Sequence, residues 1–232
     1  TGNAIITTAD IDNGSSDNCS TVNLSANITA FTCSEVGANT VTLTATDGAS
    51  NSSTCTSTVT VLDTISPIAS CQNITVYLDA TGNATITPAD VDNGSSDNCG
   101  VTSLLTDITT FTCSEIGTNT VTLTVTDGSS NTASCSSTVT VLDTISPTAS
   151  CQNITVYLSS TGTASITAAD IDNGSSDNCT VASLVADLTT FTCSEIGANS
   201  VTLTVTDGSS NSNTCISTVT VLDTISPVPS LA

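Results

Sequence analysis

The stretch VTVLDTISP occurs three times, at residues 59–67, 139–147 and 219–227. Successive copies are 80 residues apart, and repetition at a fixed period is the sequence signature of a tandem-repeat protein. The Thr/Val alternation in VTVL predicts a β-strand, because successive side chains of a strand point to opposite faces. The proline that follows fixes φ and cannot donate to a strand ladder. We therefore interpret each copy as a seam between two repeats.

The seams define the domain organisation. They predict a partial repeat over residues 1–63, complete repeats over 64–143 and 144–223, and the start of a further segment over 224–232. TGNAIITTAD at residue 1 matches TGNATITPAD at residue 81, so we expect the first repeat to lack its N-terminal strand. Each complete repeat has six or seven short alternating runs separated by turn residues, with no helical periodicity. This pattern predicts an all-β fold of tandem immunoglobulin-like β-sandwich modules, arranged head to tail.

The composition argues against several classes of function. The 232 residues include no Lys, Arg or His and 21 acidic residues, giving a formal charge of -21. Such a surface cannot neutralise phosphates, so we exclude nucleic acid as a partner, and no apolar run of about 18 residues predicts membrane insertion. A catalytic triad requires a base such as histidine, which is absent, and glutamate occurs once per repeat. We therefore predict that the protein is not an enzyme.

The cysteines recur in the phase of the repeat. Close CxxC pairs and histidines, which a zinc site requires, are missing, so the pattern predicts disulfides and a location outside the cytosol. Four cysteines per repeat allow three pairings, and the sequence alone does not choose among them. Geometry favours Cys99 with Cys113, which flank a short segment, and Cys71 with Cys135, which open the first and last strands. Repeated in register, the expected pairs are Cys19–Cys33, Cys71–Cys135, Cys99–Cys113, Cys151–Cys215 and Cys179–Cys193, and Cys55 is left unpaired with its partner before residue 1.

An acidic stretch around DNGSSDNC is nearly unchanged in all three repeats. It places three aspartates and a glycine within eight residues, and calcium takes oxygen ligands from loops of this kind. The spacing is not that of an EF-hand, and Asp, Asn, Gly and Ser also build turns without any metal, so both interpretations stay open. The candidate calcium ligands are Asp10, Asp12 and Asp17, then Asp90, Asp92 and Asp97, then Asp170, Asp172 and Asp177.

The seam is a second candidate calcium site. Its aspartates, Asp63, Asp143 and Asp223, could share a cation with a turn that contains Asp47, Asp127 or Asp207. The alternative is an exposed aspartate that only ends a strand. Because the chain has no Lys or Arg, every carboxylate must be solvated, screened by ions or bound to metal.

Three motifs together resemble a known family. DNC, then FTCSEIGTNTVTLTVTDGSSN, then SCSSTVTVLDTISPTASCQ is similar to the hyalin repeat (HYR) domain, which implies an immunoglobulin-like fold and extracellular adhesion. The strict repetition and the Thr/Ser/Asn richness are most similar to giant cell-surface adhesins of Bacteroidota, including gliding-motility adhesins exported by the type IX secretion system. DTI at residues 63–65 and its copies resembles an O-glycosylation signal of that group, which implies sugars at Thr64, Thr144 and Thr224.

Two functions are consistent with these features. The first is a structural stalk or filament in an extracellular cell-surface adhesin, in which each repeat binds the next repeats of the same chain. The second is a calcium-dependent module whose DNGSSDN loops bind surface glycans or proteins. We favour the stalk, because DNGSSDNC is identical in the three repeats, whereas loops that bound distinct ligands would be expected to differ.

Overall fold

A computed structural model describes residues 2–229. The first repeat contains β1 (Ala4–Ile5), α1 (Thr8–Ile11), β2 (Asn23–Ala26), β3 (Ala30–Phe31), a 3-10 turn (Cys33–Glu35), β4 (Gly37–Thr46) and β5 (Ser52–Val61). The second contains β6 (Ile74–Tyr77), β7 (Asn83–Thr85), α2 (Pro88–Val91), β8 (Val101–Thr106), β9 (Thr110–Thr112), a 3-10 turn (Cys113–Glu115), β10 (Gly117–Asp127) and β11 (Thr132–Leu142). The third contains β12 (Ile154–Tyr157), β13 (Thr163–Ser165), α3 (Ala168–Ile171), β14 (Val181–Ala186), β15 (Thr190–Thr192), a 3-10 turn (Cys193–Glu195), β16 (Gly197–Asp207) and β17 (Ser212–Leu222).

The same two sheets form in each complete repeat. In the second repeat the larger sheet has the order β6-β11-β10-β8 and the smaller one pairs β7 with β9; in the third the orders are β12-β17-β16-β14 and β13-β15. The last strand is central in both: β17 pairs antiparallel with β16 and parallel with β12. The seam motif therefore supplies a central strand of the larger sheet. In the first repeat the sheets are β2-β4-β5 and β1-β3.

The core of the third repeat lies between its two sheets. Val201, Leu203 and Val205 alternate along β16 and are fully buried, while the threonines between them are half-buried on the other face. Phe191 from the smaller sheet belongs to the same hydrophobic cluster. Burying each of these side chains stabilises the fold by about 1.5–3 kcal/mol. These observations confirm the predicted all-β fold of immunoglobulin-like sandwich repeats.

Each repeat also contains one turn of helix, which the sequence pattern did not predict. In α2 the Asp90 carboxylate accepts hydrogen bonds from the backbone N and the hydroxyl of Thr87, at 2.6 and 2.7 Å, and this reciprocal cap starts the helix. Val91 at its end is fully buried. Four residues are too few to produce helical periodicity, so a pattern analysis does not detect them. None of the helices within residues 2–229 has the length and hydrophobicity that a membrane crossing requires.

The compact units of the structure do not coincide with the sequence repeats. One unit extends through the first repeat to Gln72 and also includes Thr87–Asp107 and Val121–Ser137; the other consists of Asn73–Ile86, Ile108–Thr120 and the chain from Thr138 onward. Each unit thus contains a seam together with the parts of the following repeat that pack against it. The first seam (residues 59–67) lies in one unit and the second seam (residues 139–147) in the other.

Two of the four disulfides are the expected ones, and the other two join different cysteines. All eleven cysteines are among the described residues, and eight of them form four disulfides. Two lie within one repeat, as expected, and join the segment before its first strand to its last strand: Cys71–Cys135 and Cys151–Cys215. The other two join neighbouring repeats: Cys33–Cys99 and Cys113–Cys179. Cys19, Cys55 and Cys193 are free and exposed.

The expected pairs Cys19–Cys33, Cys99–Cys113 and Cys179–Cys193 are therefore wrong. The segment between Cys99 and Cys113 does not form a hairpin: β8 pairs with β10 in the larger sheet, and β9 pairs with β7 in the smaller one. Cys33 Sγ lies 3.3 Å from the carbonyl oxygen of Asn98, so the first seam brings Cys33 beside Cys99. Each cross-seam disulfide spans 66 residues. Closing a loop of that length lowers the conformational entropy of the unfolded chain, which stabilises the folded state by about 4 kcal/mol.

Candidate metal centres at the seams

The first seam brings three carboxylates from two repeats together. Asp63 follows β5 of the first repeat, Asp97 lies in the DNC loop of the second repeat, and Asp127 ends β10. One ligand atom from each lies within 4.8 Å of the others. The seam was a predicted calcium site through Asp63 and Asp127, and Asp97 was predicted as a ligand of a separate loop site. The structure places all three in one group.

Asp127 is fixed by the turn that follows β10. It is only 2% exposed, and its Oδ1 accepts from the backbone N of Ser129 and of Asn131, at 2.9 and 2.8 Å. Burial opposes ionisation, but the hydrogen bonds from Asn131, Ser129 and Ser130 together outweigh it and hold the pKa of Asp127 below its ordinary value of 3.8. Asn131 Nδ2 also donates to the Asp63 carbonyl oxygen at 3.1 Å, which ties the turn to the seam.

Asp97 and Asn98 hold the DNC loop against the seam. Asp97 Oδ2 accepts from the backbone N of Cys99 and of Gly100, at 2.7 and 3.1 Å. Asn98 Nδ2 donates to Asp63 Oδ1 at 3.3 Å. One oxygen of each group is then left over: Asp63 Oδ2, Asp97 Oδ1 and Asn98 Oδ1 are buried and have no hydrogen-bond partner.

The second seam repeats the hydrogen bonds of the first, although the close group of ligand atoms there consists of Asp143, Asp177 and Cys179. Asp143 Oδ2, Asp177 Oδ1 and Asn178 Oδ1 are buried without a partner. Asn178 Nδ2 donates to Asp143 Oδ1 at 3.2 Å. Asn211 Nδ2 donates to Asp207 Oδ2 at 2.8 Å and to the Asp143 carbonyl oxygen at 3.1 Å. The same three unpaired oxygens therefore occur at two independent places in the chain.

Unpaired buried oxygens of this kind are candidate ligands for a cation. Buried polar atoms nearly always have a partner, and an uncompensated buried carboxylate is costly. The chain has no Lys, Arg or His, so no side chain can supply the positive charge. Carboxylate and amide oxygens are hard ligands of the type that calcium prefers. A softer metal fits poorly, because the one sulfur ligand in these groups, Cys179 at the second seam, is already in a disulfide with Cys113.

The other predicted loop ligands have local roles. Within the described residues, the ligand atoms of Asp90, Asp92 and Asp97 do not form a common group. Asp92 Oδ1 accepts from Ser95 N at 3.1 Å, and hydrogen bonds from Ser95 lower its pKa. The equivalent aspartates of the other repeats also accept hydrogen bonds from nearby backbone N atoms. The donors are Thr7 to Asp10, Thr167 to Asp170, Ser15 to Asp12 and Ser175 to Asp172. Asp17 bonds the backbone N of Cys19 and of Ser20.

The amides Asn98 and Asn178 were not identified as candidate ligands from the sequence. Their constant position between Asp and Cys in each repeat was a usable signal.

The candidate glycosylation sites Thr64, Thr144 and Thr224 are exposed. Their modification remains a prediction.

Comparison with known proteins leaves the family open. No model of a known protein family matches the chain, and no curated protein matches it in sequence. Solved structures with partial similarity include extracellular cadherin domains 1-4 of protocadherin gamma B7 (12% identity, TM-score 0.39, 87% of this chain and 66% of that one). Others are protocadherin gamma C5 EC1-3 (11%, 0.37, 81% and 78%) and mouse cadherin-23 EC22-24 (16%, 0.33, 85% and 78%). The chain thus spans about two thirds of the length of the first of these.

Proposed function

We propose that this chain is a structural repeat region, a stalk or filament segment, of an extracellular cell-surface adhesin, in which the first and the second seam each bind calcium. The observation that carries the proposal is the coincidence, at both seams, of three buried unpaired oxygens with a disulfide that joins the two repeats. The resemblance to hyalin repeats, and to gliding-motility adhesins, is consistent with this role.

The disulfides support an extracellular location. Four disulfides in a chain of 232 residues persist only in an oxidising compartment, because cytosolic thiols are kept reduced. Each complete repeat has only about 80 residues, a size at which the hydrophobic core alone gives modest stability. Cross-links within and between repeats would compensate for that small core outside the cell.

The DNGSSDN loops favour a structural role over a binding module. In the second repeat, Asp90 caps α2, Asp92 bonds Ser95, and Asp97 faces the seam. Cys99, at the end of the loop, is covalently joined to the preceding repeat. Asp90 and Asp92 are thus engaged in local contacts, and Asp97 and Cys99 are directed toward the preceding repeat.

Bound calcium would join two repeats at each seam. Asp63, Asp97, Asn98 and Asp127 would hold the first ion, and Asp143, Asp177, Asn178 and Asp207 the second. Because the ligands come from two repeats, the ion would stabilise only the docked arrangement. A ligand that binds the folded state alone, at 100 times its dissociation constant, stabilises a protein by about 2.7 kcal/mol.

Calcium titration of matched variants tests this proposal. Calorimetry should detect two calcium sites in the unmodified chain, one at each of the first two seams, and Asp97→Asn should abolish the first site and leave the second. Asp107→Asn is the control, because it removes the same charge from the same repeat. The first repeat already has asparagine at this position: Asn27 Oδ1 accepts from Thr42 N at 2.7 Å, as Asp107 Oδ1 accepts from Thr122 N at 2.8 Å.

The effect of Asp97→Asn on the thermal unfolding midpoint should change sign between chelator and excess calcium. In chelator, Asp97→Asn should raise the unfolding midpoint, because it removes one of three clustered, mutually repelling carboxylates. In excess calcium the same variant should unfold at a lower midpoint than the unmodified chain, because a ligand is lost. Equal calorimetric binding by Asp97→Asn and Asp107→Asn, or magnesium binding as tight as calcium, would contradict the proposal.

A further inference from the structure

The disulfide at the second seam lies directly beside the candidate calcium ligands. Cys179 Sγ is within 4.8 Å of one carboxylate oxygen of Asp143 and one of Asp177, and it is bonded to Cys113. Asp143 is only 6% exposed, and its Oδ2 is buried without a hydrogen-bond partner. A covalent cross-link and an unsatisfied buried carboxylate thus occur at the same place.

The disulfide holds the loop that carries the other ligands. Asp177 Oδ2 accepts a hydrogen bond from the backbone N of Cys179 at 2.9 Å, and Cys113 Sγ lies 3.7 Å from the Asn178 carbonyl oxygen. Asp177 Oδ1 and Asn178 Oδ1 are left buried without a partner. Because residues 177 and 178 directly precede Cys179, its bond to Cys113 restricts where these two oxygens can lie relative to Asp143.

The disulfide and the ion would join the same two repeats. Cys113 and Asp143 belong to the second repeat, and Asp177, Asn178 and Cys179 belong to the third. Asn178 Nδ2 also donates to Asp143 Oδ1 at 3.2 Å, but one such bond contributes only about 1 kcal/mol. Without the disulfide, the loop would therefore lose more conformational freedom when an ion binds, and the repulsion between the two carboxylates would oppose its approach.

We propose that the Cys113–Cys179 disulfide controls the calcium affinity of the second seam, so that the oxidised chain binds calcium more tightly than the reduced chain. This inference rests on the proposed function, because it concerns the regulation of the same site. The disulfide preorganises the ligands, and preorganisation raises affinity by lowering the entropic cost of binding. Coupling between two binding events is reciprocal, so bound calcium favours the disulfide over the two thiols by the same factor.

A dithiol such as dithiothreitol supplies the two electrons that reduction requires. One of its thiolates attacks the sulfur of Cys113 or Cys179, and the other protein sulfur leaves as a thiolate, giving a mixed disulfide. The second dithiothreitol thiolate then attacks the dithiothreitol sulfur of the mixed disulfide and displaces the remaining protein thiolate. One protein disulfide is reduced, one cyclic dithiothreitol disulfide forms, and the two dithiothreitol protons pass to the protein thiols.

Calorimetry on matched cysteine variants tests the proposal. All chains carry Asp97→Asn, so that only the second seam binds calcium. Cys113→Ala with Cys179→Ala should raise the calcium dissociation constant about tenfold. Cys151→Ala with Cys215→Ala is the control and should leave the constant unchanged, because that disulfide spans a similar 64 residues but lies within one repeat. Equal dissociation constants in the two double-cysteine variants would overturn the proposal.

The reciprocal measurement uses the unmodified chain and does not depend on the folding of a variant. In a buffer of reduced and oxidised dithiothreitol, saturating calcium should raise the ratio of disulfide to thiols at Cys113–Cys179 about tenfold relative to chelator. The ratio at Cys151–Cys215 should not change. Alkylation, chymotryptic digestion and mass spectrometry measure each pair separately.

The outcomes separate this inference from the proposed function. A calcium effect of equal size on both disulfides, or on neither, would overturn the coupling while leaving calcium binding itself intact. If the Asp97→Asn chain with all its disulfides binds no calcium, the proposed function fails at the second seam, and the coupling fails with it.

Discussion

At the scale of single residues, the cross-seam disulfide depends on a glycine. Gly82 has a φ of 75°, a conformation that other residues rarely adopt. A Cβ added there would lie 2.7 Å from Cys113 Sγ and 2.8 Å from the Asn178 carbonyl oxygen. The neighbour on one side is the disulfide and on the other is backbone, so neither can move cheaply. Glycine is therefore required both for its backbone conformation and for the close approach of the DNC loop.

This requirement predicts the effect of Gly82→Ala. The variant should be destabilised by about 1–3 kcal/mol more than Gly94→Ala. Gly94 is a matched control, because its φ is 80° and an added Cβ would meet nothing within 4 Å. The unfolding midpoint in denaturant gives the difference, and the content of free thiols shows whether the Cys113–Cys179 bond still forms. Equal losses of stability in the two variants would mean that only backbone strain is at work.

Residue identity could not determine which cysteines pair. Cys33 and Cys113 occupy equivalent positions in successive repeats, 80 residues apart. The sequence pattern therefore offers both as partners for Cys99. A choice between these partners needs the packing at the seam, where Asn98 bonds Asp63, and this contact is not written in the local sequence. The metal ligands show the same limit. The aspartates were recognisable, but the grouping of Asp97 with Asp63 and Asp127 depends on contact between repeats.

At the scale of elements, the strands were predictable and the helices were not. Along β10 and β16, buried apolar residues alternate with half-buried threonines. This period of two is visible in the sequence and is enough to predict a strand. The helical turns are determined instead by capping. In each repeat, Thr and Asp three positions apart bond each other, which starts a helix that lacks the length for a hydrophobic face.

The capping box of α2 predicts a pH dependence. The Thr87 backbone and side-chain hydrogen bonds lower the pKa of Asp90 in the folded protein below 3.8. A lowered folded pKa means that this stabilisation is complete above the unfolded value and is lost as the pH falls through the folded value. At pH 6, Asp90→Ala should lower the unfolding midpoint by about 3 °C. The difference from the unmodified chain should close as the pH falls below 3.8.

Thermal scans at a series of pH values measure this difference. Asp107→Asn again serves as the control for the loss of one negative charge, because asparagine makes the same bond at residue 27. A gap between the unmodified chain and Asp90→Ala that stays constant down to pH 2 would show that the carboxylate does not stabilise the helix through its charged form.

At the scale of the whole molecule, the disulfides overlap along the sequence. The loop closed by Cys33–Cys99 overlaps that of Cys71–Cys135, which overlaps that of Cys113–Cys179, which overlaps that of Cys151–Cys215. Every peptide bond between residues 33 and 215 therefore lies inside at least one closed loop. A single backbone cleavage in this range leaves the pieces covalently joined. The pairing expected from the sequence would instead leave both seams outside every loop.

A unique protease site in the second seam tests this continuity. Because the chain has no Lys or Arg, Thr144→Arg creates one trypsin site, at an exposed residue that lies inside the Cys113–Cys179 loop alone. After trypsin, the protein should run as one species without reductant and as two fragments with it. In the same variant with Cys113→Ser and Cys179→Ser, the fragments should separate without reductant.

Thr224→Arg provides the reference for cleavage outside the loops. Residue 224 follows the last disulfide, at Cys215, so trypsin should release the end of the chain whether or not reductant is present. If cleavage at residue 144 also releases a fragment without reductant, the repeats are not linked across the seam. If the pieces stay joined, the disulfides keep the chain continuous past a broken backbone, as the proposed extracellular stalk would require.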